Sequence, residues 1–409
     1  MRIWGLRDHW VRICYYWNMD PLDWIDEETA RLEAAGLLRS LPVGLRSAGG
    51  VVEIDGGSVV NFASNDYLGL AADPRVVAAA AEACREFGVG RGASPLVSGR
   101  STVHDALEQR LAEFFGTEAA LLFPTSFAAN TGAIPALVGE GDAIYADAKN
   151  HASIIDGCRL SHAEKHVYQH VDMAALEKLL AEGDNYRRRL IVSDTLFSMD
   201  GDLAPLVQLA ELAERFNAML LVDEAHAVGV FGERGRGVVE HFAKEDPRVL
   251  ERVSVRVGSF GKALGSAGGF LCGKRALVKW MANRARTYVF STAHPAALSA
   301  AALMALDLVD REPGRRRGVL QMAAELRERL QAEGWNTGRS ESQIVPVVIG
   351  EPHQTMRISQ GLRERGIWAP GIRPPSVPEG ESLLRLGITA GHTEEMVDRL
   401  VGALGELRR

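Results

Sequence analysis

Short apolar runs alternate with amphipathic segments from about residue 59 onward, and this alternation constrains the fold more than any other feature. In Val103–Phe115, for example, apolar residues recur at helical spacing on one face. The apolar runs are typical of buried strands, and they cover Val59–Ala63, Ala119–Phe123, Ala143–Ala146, Leu190–Val192, Met219–Val222 and Val253–Val257. Because strands that alternate with helices form parallel sheets, the pattern predicts an α/β fold with a mostly parallel sheet.

The pattern changes after about residue 300, where charged helical segments flank short strands. The predicted helices are Arg315–Glu333, Met356–Arg365 and Thr393–Leu407, and the predicted strands are Ile344–Ile349 and Leu383–Ile388. This part is typical of a smaller α+β domain. We therefore expect an N-terminal arm at residues 1–58, a large domain at 59–298 and a small domain at 299–409.

Residues 1–18 are aromatic-rich and basic, and they lack the apolar core and the small-residue cleavage site of a signal peptide. We expect a flexible or wrongly assigned start, with Met19 as a plausible initiator. The chain has four widely spaced cysteines and no apolar stretch of the ~20 residues that a membrane span needs. With 46 basic against 53 acidic residues, it gives no reason to expect a nucleic-acid partner. The cytoplasm is the expected location.

Three familiar motifs are approached but not matched. Gly88–Ala93 reads GVGRGA, in which the third glycine of a dinucleotide fingerprint falls one place early. The sequence around Lys262 lacks the first glycine and the Ser/Thr of a phosphate-binding P-loop. His162, His166 and His170 are spaced by four, but no H-E-x-x-H is present and HVYQH is more typical of a strand. We therefore expect no metal site.

Polar residues follow three of the predicted strands directly. Asp223 and His226 come after the run MLLV, and Lys262 follows the strand that ends near Val257. Ser126 comes after the run ALLF and opens a helix, which is a suitable position for a phosphate group. Ligands of open α/β sheets bind at the carboxyl ends of the strands, so these residues are candidates for one site.

Each of these residues also has an ordinary structural interpretation. Asp223 could cap a helix, Lys262 could be a surface lysine in a glycine-rich turn, and Ser126 could be an N-cap. Together, however, they match the requirements of pyridoxal phosphate: an amine for its aldehyde, a carboxylate for its pyridine nitrogen, and donors for its phosphate. We therefore hypothesise a pyridoxal-phosphate enzyme that binds its cofactor through Lys262.

Several sequence segments resemble the α-oxoamine synthases, pyridoxal-phosphate enzymes of fold type I that condense an amino acid with an acyl thioester and release CO2. The resemblance extends from about Asn61 to His392, through NFASNDYLGL, LVSGRSTVH, NHASIIDG, FSMDGDLAPL, VDEAHAVGVFGERGRG, SFGKALGSAGG and STAHP. It implies an aspartate-aminotransferase-like fold, with a seven-stranded, mostly parallel sheet in the large domain and a small α+β C-terminal domain. It also implies a homodimer with shared active sites.

Gly371–His392 and Leu96–Gly99 are most similar to the branch of this family that joins L-alanine to a pimeloyl thioester in biotin synthesis. The acyl carrier, coenzyme A or a carrier protein, stays open. A relative that uses glycine or serine is the alternative. A catalytically silent subunit is disfavoured, because both Lys262 and Asp223 are present.

The resemblance also implies roles for single residues around the cofactor. Lys262 would bind the cofactor and remove the α-proton of the amino acid, while Asp223 would pair with the pyridine nitrogen. His226 and Ser198 would bond the phenolic oxygen, and His151 would stack on the ring. The phosphate would be bound by Ser126, Phe127 and Ser259, and by Ser291 and Thr292 of the neighbouring subunit.

The substrate residues are implied in the same way. Asn65 and Arg385 would bind the carboxylate of the amino acid, since the planar guanidinium matches a carboxylate with two parallel hydrogen bonds. Thr389 is a further candidate for substrate binding. Arg39 is the nearest candidate for the N-terminal arginine that some members use for the acyl substrate.

Overall fold

The computed structural model describes residues 20–39, 41–183 and 185–408. The expectations for residues 1–18 and for Met19 lie outside this part of the chain. The strands are β1 Gly44–Ala48, β2 Val51–Ile54, β3 Gly57–Asn61, β4 Ala119–Phe123, β5 Ala143–Asp147, β6 Glu164–Tyr168, β7 Arg189–Asp194, β8 Met219–Asp223, β9 Val255–Ser259, β10 Gly269–Gly273, β11 Ile344–Gly350, β12 Ile367–Trp368, β13 Gly371–Ile372 and β14 Ser382–Gly387.

The helices cover the faces of the sheets and much of the C-terminal part. They are α1 Asp23–Ala34, α2 Pro74–Phe87, α3 Thr102–Phe115, α4 Ser126–Leu137, α5 Ala152–Leu160, α6 Met173–Glu182, α7 Leu206–Arg215, α8 Val238–Phe242, α9 Val249–Arg252, α10 Arg275–Arg284, α11 Arg286–Val289, α12 Ala296–Arg311, α13 Pro313–Ala332, α14 Pro352–Glu364 and α15 Glu394–Arg408. In the part of the chain that the structure describes, no helix is both long and apolar enough to cross a membrane.

A seven-stranded sheet forms the centre of the molecule, in the order β4-β10-β9-β8-β7-β5-β6. The four pairings from β9 to β6 are parallel, whereas β10 runs antiparallel to both of its neighbours. The predicted mostly parallel seven-stranded sheet is thus confirmed. The sequence did not predict β10, which separates β4 from the other strands.

Both faces of this sheet are buried, which explains why its strands are continuous apolar runs instead of alternating patterns. Every residue of β5 and β9 is buried. One face packs on an apolar cluster that includes Leu107 and Leu111 of α3, and the other on a cluster that includes Ile134 of α4 and Ile154 of α5. The side faces are therefore closed, and a ligand reaches the sheet at its strand ends.

The C-terminal part contains a three-stranded antiparallel sheet in the order β11-β14-β13. Its core includes Leu326, Leu362 and Leu400, one from each of α13, α14 and α15. The predicted helices and strands of this α+β part lie within a few residues of the observed ones.

The predicted strand at Val59–Ala63 forms as β3, but it does not join the central sheet. It lies in a four-stranded sheet of order β1-β2-β3-β12, where Val60 pairs with Ile367 in parallel register. Phe62, which follows β3, belongs to the apolar core of the C-terminal part. The segment before the large sheet thus packs with residues about 300 positions later, and periodicity alone gave no sign of that partner.

Candidate active site

Two aspartates lie side by side at the carboxyl edge of the central sheet. Asp194 ends β7 and Asp223 ends β8, and they are paired residues in the parallel register. The Asp223 carboxylate is 4% exposed and accepts hydrogen bonds from Asn130 Nδ2 at 2.6 Å and from the backbone N–H of Ala225 at 2.7 Å. Its orientation is therefore determined by the protein before any ligand binds.

The negative charge of Asp194 is disfavoured by its surroundings. Burial, and then the charge of Asp223, raise the pKa of Asp194 well above its usual range. Its carboxyl group accepts a hydrogen bond from the backbone N–H of His151 at 2.7 Å. The strand edge therefore favours one negative charge instead of two.

Lys262 lies in the loop between β9 and β10, and its side chain is half-buried. Burial is the main cause that lowers the pKa of its amine, and the charge of Arg385 adds to this; Asp223 and Asp194 act in the opposite direction. A backbone hydrogen bond of 2.9 Å from Gly265 to the carbonyl of Lys262 closes the turn. A lysine with a lowered pKa can act as a nucleophile and as a base near neutral pH.

Tyr67 connects three of the predicted site residues, although the sequence did not single it out. Its buried hydroxyl lies 2.7 Å from His226 Nδ1, 3.0 Å from Asn65 Oδ1 and 3.1 Å from Arg385 Nη2. Burial, together with the charges of Lys262 and Arg385, lowers the pKa of His226 well below its usual range, so its imidazole is neutral.

His151 and Ser198 border the cleft that lies beside the strand-edge cluster of Asp223, His226 and Lys262. His151 precedes α5 and accepts a hydrogen bond at Nδ1 from the backbone N–H of Ser153, 3.2 Å away. Its ring is exposed to the cleft and stands edge-on to Phe127 at a centroid distance of 6.4 Å. The carbonyl of Ser198 accepts a hydrogen bond from Arg385 Nε. We call Asp223, His226 and Lys262 the floor of the cleft. The contact between Ser198 and Arg385 joins this region to the C-terminal sheet.

The start of α4 presents free backbone donors. Thr125 is the N-cap, with its Oγ1 accepting from the backbone N–H of Ala128 at 2.9 Å, so the N-cap interpretation of Ser126 is wrong. Among the described residues, no acceptor bonds the backbone N–H of Ser126 or Phe127. A Cβ on Gly269 of β10 would lie 2.3 Å from the Ser126 nitrogen, so only glycine allows this close approach.

Ser259 ends β9, and its Oγ accepts a hydrogen bond of 3.1 Å from the backbone N–H of Gly261. It is one of the three residues at the ends of β7, β8 and β9 on this edge. Its hydroxyl keeps the capacity to donate one hydrogen bond.

The remaining predicted residues lie apart from this cluster. Ser291 and Thr292 line a separate small depression that also includes Tyr288. The hydroxyl of Thr389 lies 3.0 Å from His392 Nδ1. Arg39 Nη2 donates to the hydroxyl of Ser376 at 3.2 Å. In the described part of a single chain, these residues do not lie at the strand edge.

Two of the three histidines that are spaced by four residues, His166 and His170, make other contacts. His166 lies on β6 and stacks on Tyr145 at 5.1 Å, which confirms the strand interpretation of this segment. His170 lies between Asp147 and Asp202, with nitrogen–oxygen distances of 2.9 and 3.0 Å. Among the residues that the structure describes, no group of His, Cys, Asp and Glu is arranged to hold a metal ion.

A cavity of about 660 Å³ lies next to His151, and the sequence did not predict it. One wall comes from residues 148–155 and 197–200, and the other from residues 374–383 of the C-terminal part. Lys149 joins the two walls, because its Nζ lies 2.7 Å from Asp200 and 3.1 Å from Glu381. The strand-edge cluster therefore has an adjoining space that is large enough for a second reactant.

The fold and the site define a class that the comparisons with known proteins also find. The family model described as aminotransferase class I and II matches residues 57–404. Solved structures agree: serine palmitoyltransferase of Sphingomonas wittichii has a TM-score of 0.89 at 33% identity, and covers 95% of this chain and 98% of its own. The chain belongs to the class I and II aminotransferase family.

The family can be given more narrowly. The 8-amino-7-oxononanoate synthase of Anaeromyxobacter sp. (strain Fw109-5) is 51% identical over 389 residues, which cover 95% of this chain and 96% of the relative. The synthase 1 of Polaromonas sp. is 46% identical over 393 residues, covering 94% and 96%. Francisella tularensis 8-amino-7-oxononanoate synthase has a TM-score of 0.73 at 25% identity, covering 85% of this chain and 97% of its own. Within the wider class, the chain therefore belongs to the 8-amino-7-oxononanoate synthases, which confirms the resemblance inferred from the sequence.

Proposed function

We propose that the protein joins L-alanine to a pimeloyl thioester with release of CO2, forming 8-amino-7-oxononanoate in biotin biosynthesis, with pyridoxal phosphate as cofactor. The observation that carries this proposal is the cluster of Lys262, Asp223 and His226 at the strand edge. Identity of 45–51% to several 8-amino-7-oxononanoate synthases over almost the whole chain supports the choice of reaction.

The side chains fit pyridoxal phosphate. Lys262 would provide the amine for the aldehyde and Asp223 the carboxylate for the pyridine nitrogen, and His226 and Ser198 would bond the ring oxygen. His151 offers an exposed ring surface. The phosphate would be bound by Ser259 and by the free N–H groups of Ser126 and Phe127. When bound, the cofactor supplies a conjugated ring that withdraws electrons from the α-carbon of the amino acid.

Lys262 is the base in this proposal. Its amine must be unprotonated to take the α-proton, and burial lowers the pKa of this amine and so increases the unprotonated fraction at neutral pH. The buried carboxylate of Asp223 interacts favourably with the ammonium form and therefore limits the decrease. The Nζ of Lys262 can therefore take the α-proton and still hold it afterwards.

Arg385 and Asn65 bind the carboxylate of the amino acid in this proposal. Among the described residues, Arg385 uses two of its five N–H groups, one on the Ser198 carbonyl and one on Tyr67. Three N–H groups are left for a ligand, and a guanidinium can bond both oxygens of a carboxylate in one plane. Arg385 is 8% exposed, so the pairing would be protected from solvent and salt.

The acyl thioester would occupy the cavity next to His151, whose lining includes Ile155, Met199, Val377 and Leu383. These apolar side chains suit a methylene chain. Arg39 and Thr389 are retained as candidates for substrate contacts. The carrier, coenzyme A or a carrier protein, is open in this proposal.

A two-fold dimer completes the proposal, with Ser291 and Thr292 serving the phosphate site of the second copy. Val97 is 80% exposed and Phe290 is 72% exposed, and both lie close in sequence to residues of the depression that Ser291 lines. Exposed apolar side chains of this kind are favourable in a subunit interface. We place the enzyme in the cytoplasm, with no membrane or nucleic-acid partner.

An alternative with glycine or serine as amino acid stays a second candidate, because the serine palmitoyltransferase structure has a higher TM-score than the Francisella tularensis synthase. Identity favours the alanine reaction, at 51% to an 8-amino-7-oxononanoate synthase against 33% to the palmitoyltransferase. The amino acid is thus the point at which the two candidates differ.

Genetic complementation tests the biological role. The gene, expressed in a bacterial strain that lacks its own 8-amino-7-oxononanoate synthase, should restore growth without biotin. The same strain with the Lys262→Ala variant is the matched control and should not grow. Failure of the folded, cofactor-loaded wild type to restore growth would contradict the proposed function.

A further inference from the structure

We propose that Asn130 and Ser153 are positioning residues for His151. A chain of hydrogen bonds passes through them from Asp223 to the imidazole, and it determines both the orientation of this ring and which of its nitrogens carries the proton. The consequences for catalysis rest on the proposed function. The hydrogen bonds themselves belong to the protein side chains, so they can be measured without substrate.

The chain begins at Asn130 on α4, whose amide nitrogen contacts two oxygens. Asn130 Nδ2 lies 2.6 Å from Asp223 Oδ2 and 2.9 Å from the hydroxyl oxygen of Ser153. An amide nitrogen carries two protons, and these two acceptors use both of them. The opposite orientation of the amide would place its Oδ1 against the carboxylate of Asp223, where two acceptors would repel each other. Asn130 is therefore the donor to both neighbours.

Ser153 on α5 connects Asn130 to the histidine. Its oxygen accepts from Asn130 and lies 2.8 Å from His151 Nδ1. Among the described residues, this nitrogen is the one acceptor that the hydroxyl proton of Ser153 can reach. Asn130 and Ser153 are both fully buried, so bulk water does not compete for these hydrogen bonds.

The backbone of Ser153 determines the direction of the last hydrogen bond. Its N–H is directed at His151 Nδ1 over 3.2 Å, and a backbone N–H can only donate. A proton on Nδ1 would face this N–H and would leave a buried donor without an acceptor, which costs free energy. Nδ1 therefore accepts from both the N–H and the hydroxyl of Ser153.

The proton of the neutral imidazole is consequently on Nε2. Burial is the main cause that lowers the pKa of His151, and the charge of Lys262 adds to this, whereas Asp223 acts in the opposite direction. The ring is thus neutral near neutral pH, and a neutral imidazole has a single N–H. Because His151 lines the cavity that we assign to the acyl thioester, it offers a ligand one donor and a ring of fixed orientation.

Close packing of α5 on α4 brings Ser153 to Asn130. Gly157 lies one turn after Ser153, and a Cβ added to it would be 2.9 Å from Ile134 Cδ1 and 3.0 Å from the carbonyl oxygen of Asn130. A larger residue would push the two helices apart. Since this packing holds α5 in place, the loss of the Ser153 hydroxyl should alter the ring of His151 more than the backbone that carries it.

Nitrogen NMR of 15N-histidine-labelled protein tests the chain in the cofactor-free protein and in the holoenzyme. The His151 signals are assigned by their loss in His151→Gln, among the 11 histidines of the chain. We expect wild type to carry the proton on Nε2. In Ser153→Ala the Nδ1 signal should shift towards that of a free nitrogen, because one of its two donors is gone. A proton on Nδ1 in wild type, or an unchanged Nδ1 signal in Ser153→Ala, would overturn the proposal.

A matched control and a double variant test the specificity of the effect. Ser161→Ala removes another buried hydroxyl, which donates to the Cys158 carbonyl at 2.8 Å beyond the other end of α5, and should leave the His151 signals unchanged. Asn130 does not bond His151, so its influence must pass through Ser153. Asn130→Leu should therefore shift the Nδ1 signal alone, but not when it is combined with Ser153→Ala. A shift of equal size in both backgrounds would contradict the chain.

Measurements on the holoenzyme separate positioning from a purely structural role. In Ser153→Ala we expect an altered visible circular dichroism of the cofactor and a roughly 10-fold lower kcat, with the KM for the amino acid almost unchanged. Ser153→Cys keeps a weak donor and should restore part of both. A melting temperature lowered as in Ser161→Ala, with unchanged NMR and dichroism, would contradict the inference. The NMR result does not depend on which amino acid is the substrate, so its failure is distinguishable from failure of the proposed function.

Discussion

Asp223, on the floor of the site, is 4% exposed and is held by two hydrogen bonds, whereas Lys149, in the wall of the adjoining cavity, has a side chain that is 26% exposed and is held by two ion pairs. The floor is built at strand ends within one sheet. The wall is built where residues 148–155 and 197–200 meet residues 374–383. Charges on the floor are thus shielded from water, and those on the wall are partly solvated.

Because of this difference, substitutions on the floor and in the wall should affect the enzyme to different extents. Removing one partner from a buried charged cluster leaves an uncompensated group in a medium of low polarity. Partly exposed ion pairs contribute little to the stability of the fold, because water and salt screen them. Substitutions on the floor should therefore have large effects on catalysis, and substitutions in the wall should have small effects that concern mainly the acyl substrate.

The largest effect is expected for Lys262→Ala. Without the amine, the variant loses the covalent attachment of the cofactor and the base, so kcat should decrease by at least about 1,000-fold, as for other groups that act directly on the reacting atoms. Cofactor absorbance and turnover are the measurements, with the melting temperature as the control for folding. Retained turnover in a folded variant would contradict the role of the floor.

Arg385→Lys should have the next largest effect. Lysine keeps the charge but cannot bond the Ser198 carbonyl, Tyr67 and a carboxylate at the same time. We expect the KM for the amino acid to rise by about 10-fold to 100-fold, which corresponds to the loss of one bidentate contact. Cofactor affinity should change little, and an equal loss of both affinities would indicate a structural role instead.

His170→Gln tests a buried ion pair next to the wall, since Asp147, which pairs with His170, also accepts from the backbone N–H of Lys149 at 2.8 Å. Burial disfavours the charged imidazole, but hydrogen bonds to Asp147 and Asp202 prevail and raise the pKa of His170 to about 9. A raised pKa stabilises the fold below the unfolded value of ~6.5 and loses this stabilisation as pH increases through about 9.

We therefore expect wild type to be more stable than His170→Gln by about 2 kcal/mol at pH 6, with the difference decreasing up to pH 9.5. Chemical denaturation of both proteins at a series of pH values measures this. A stability difference that does not change with pH would show that His170 is uncharged in the folded protein.

The smallest effect is expected for Lys149→Met. Its two ion pairs are partly exposed, so the stability should change by less than about 1 kcal/mol. The KM for the acyl thioester should change by a few-fold, with kcat almost unaffected. Glu381→Gln, which removes only one partner, is the matched control and should change less. A large loss of kcat in Lys149→Met would break the distinction between floor and wall.

The sequence was most informative about the floor. Asp223, His226 and Lys262 follow strands whose apolar runs are unmistakable, and parallel strands end at the same edge of a sheet. Asn130 and Tyr67 were missed, because they reach the floor from a helix and from a turn through contacts over 93 and 159 residues. Composition and periodicity contain no information about such pairings.

The wall was harder to predict for the same physical reason. Lys149 and Glu381 are 232 residues apart, and each lies in a loop without periodicity. The partner of β3 and the antiparallel insertion of β10 were also missed, since strand order depends on contacts between distant segments. The order of the strands can be inferred only from resemblance to a known fold family. The ends of the strands, in contrast, can be recognised in the sequence itself.

The most direct test of the account is the release of free thiol by the purified protein. Two acyl donors are compared, pimeloyl-CoA and pimeloyl attached to an acyl-carrier protein. Each is combined in separate reactions with L-alanine, glycine or L-serine. We predict thiol release with L-alanine from at least one of the two acyl donors, together with an equal amount of CO2. Release only with glycine or serine, or no release from either donor by the cofactor-loaded protein, would contradict the account.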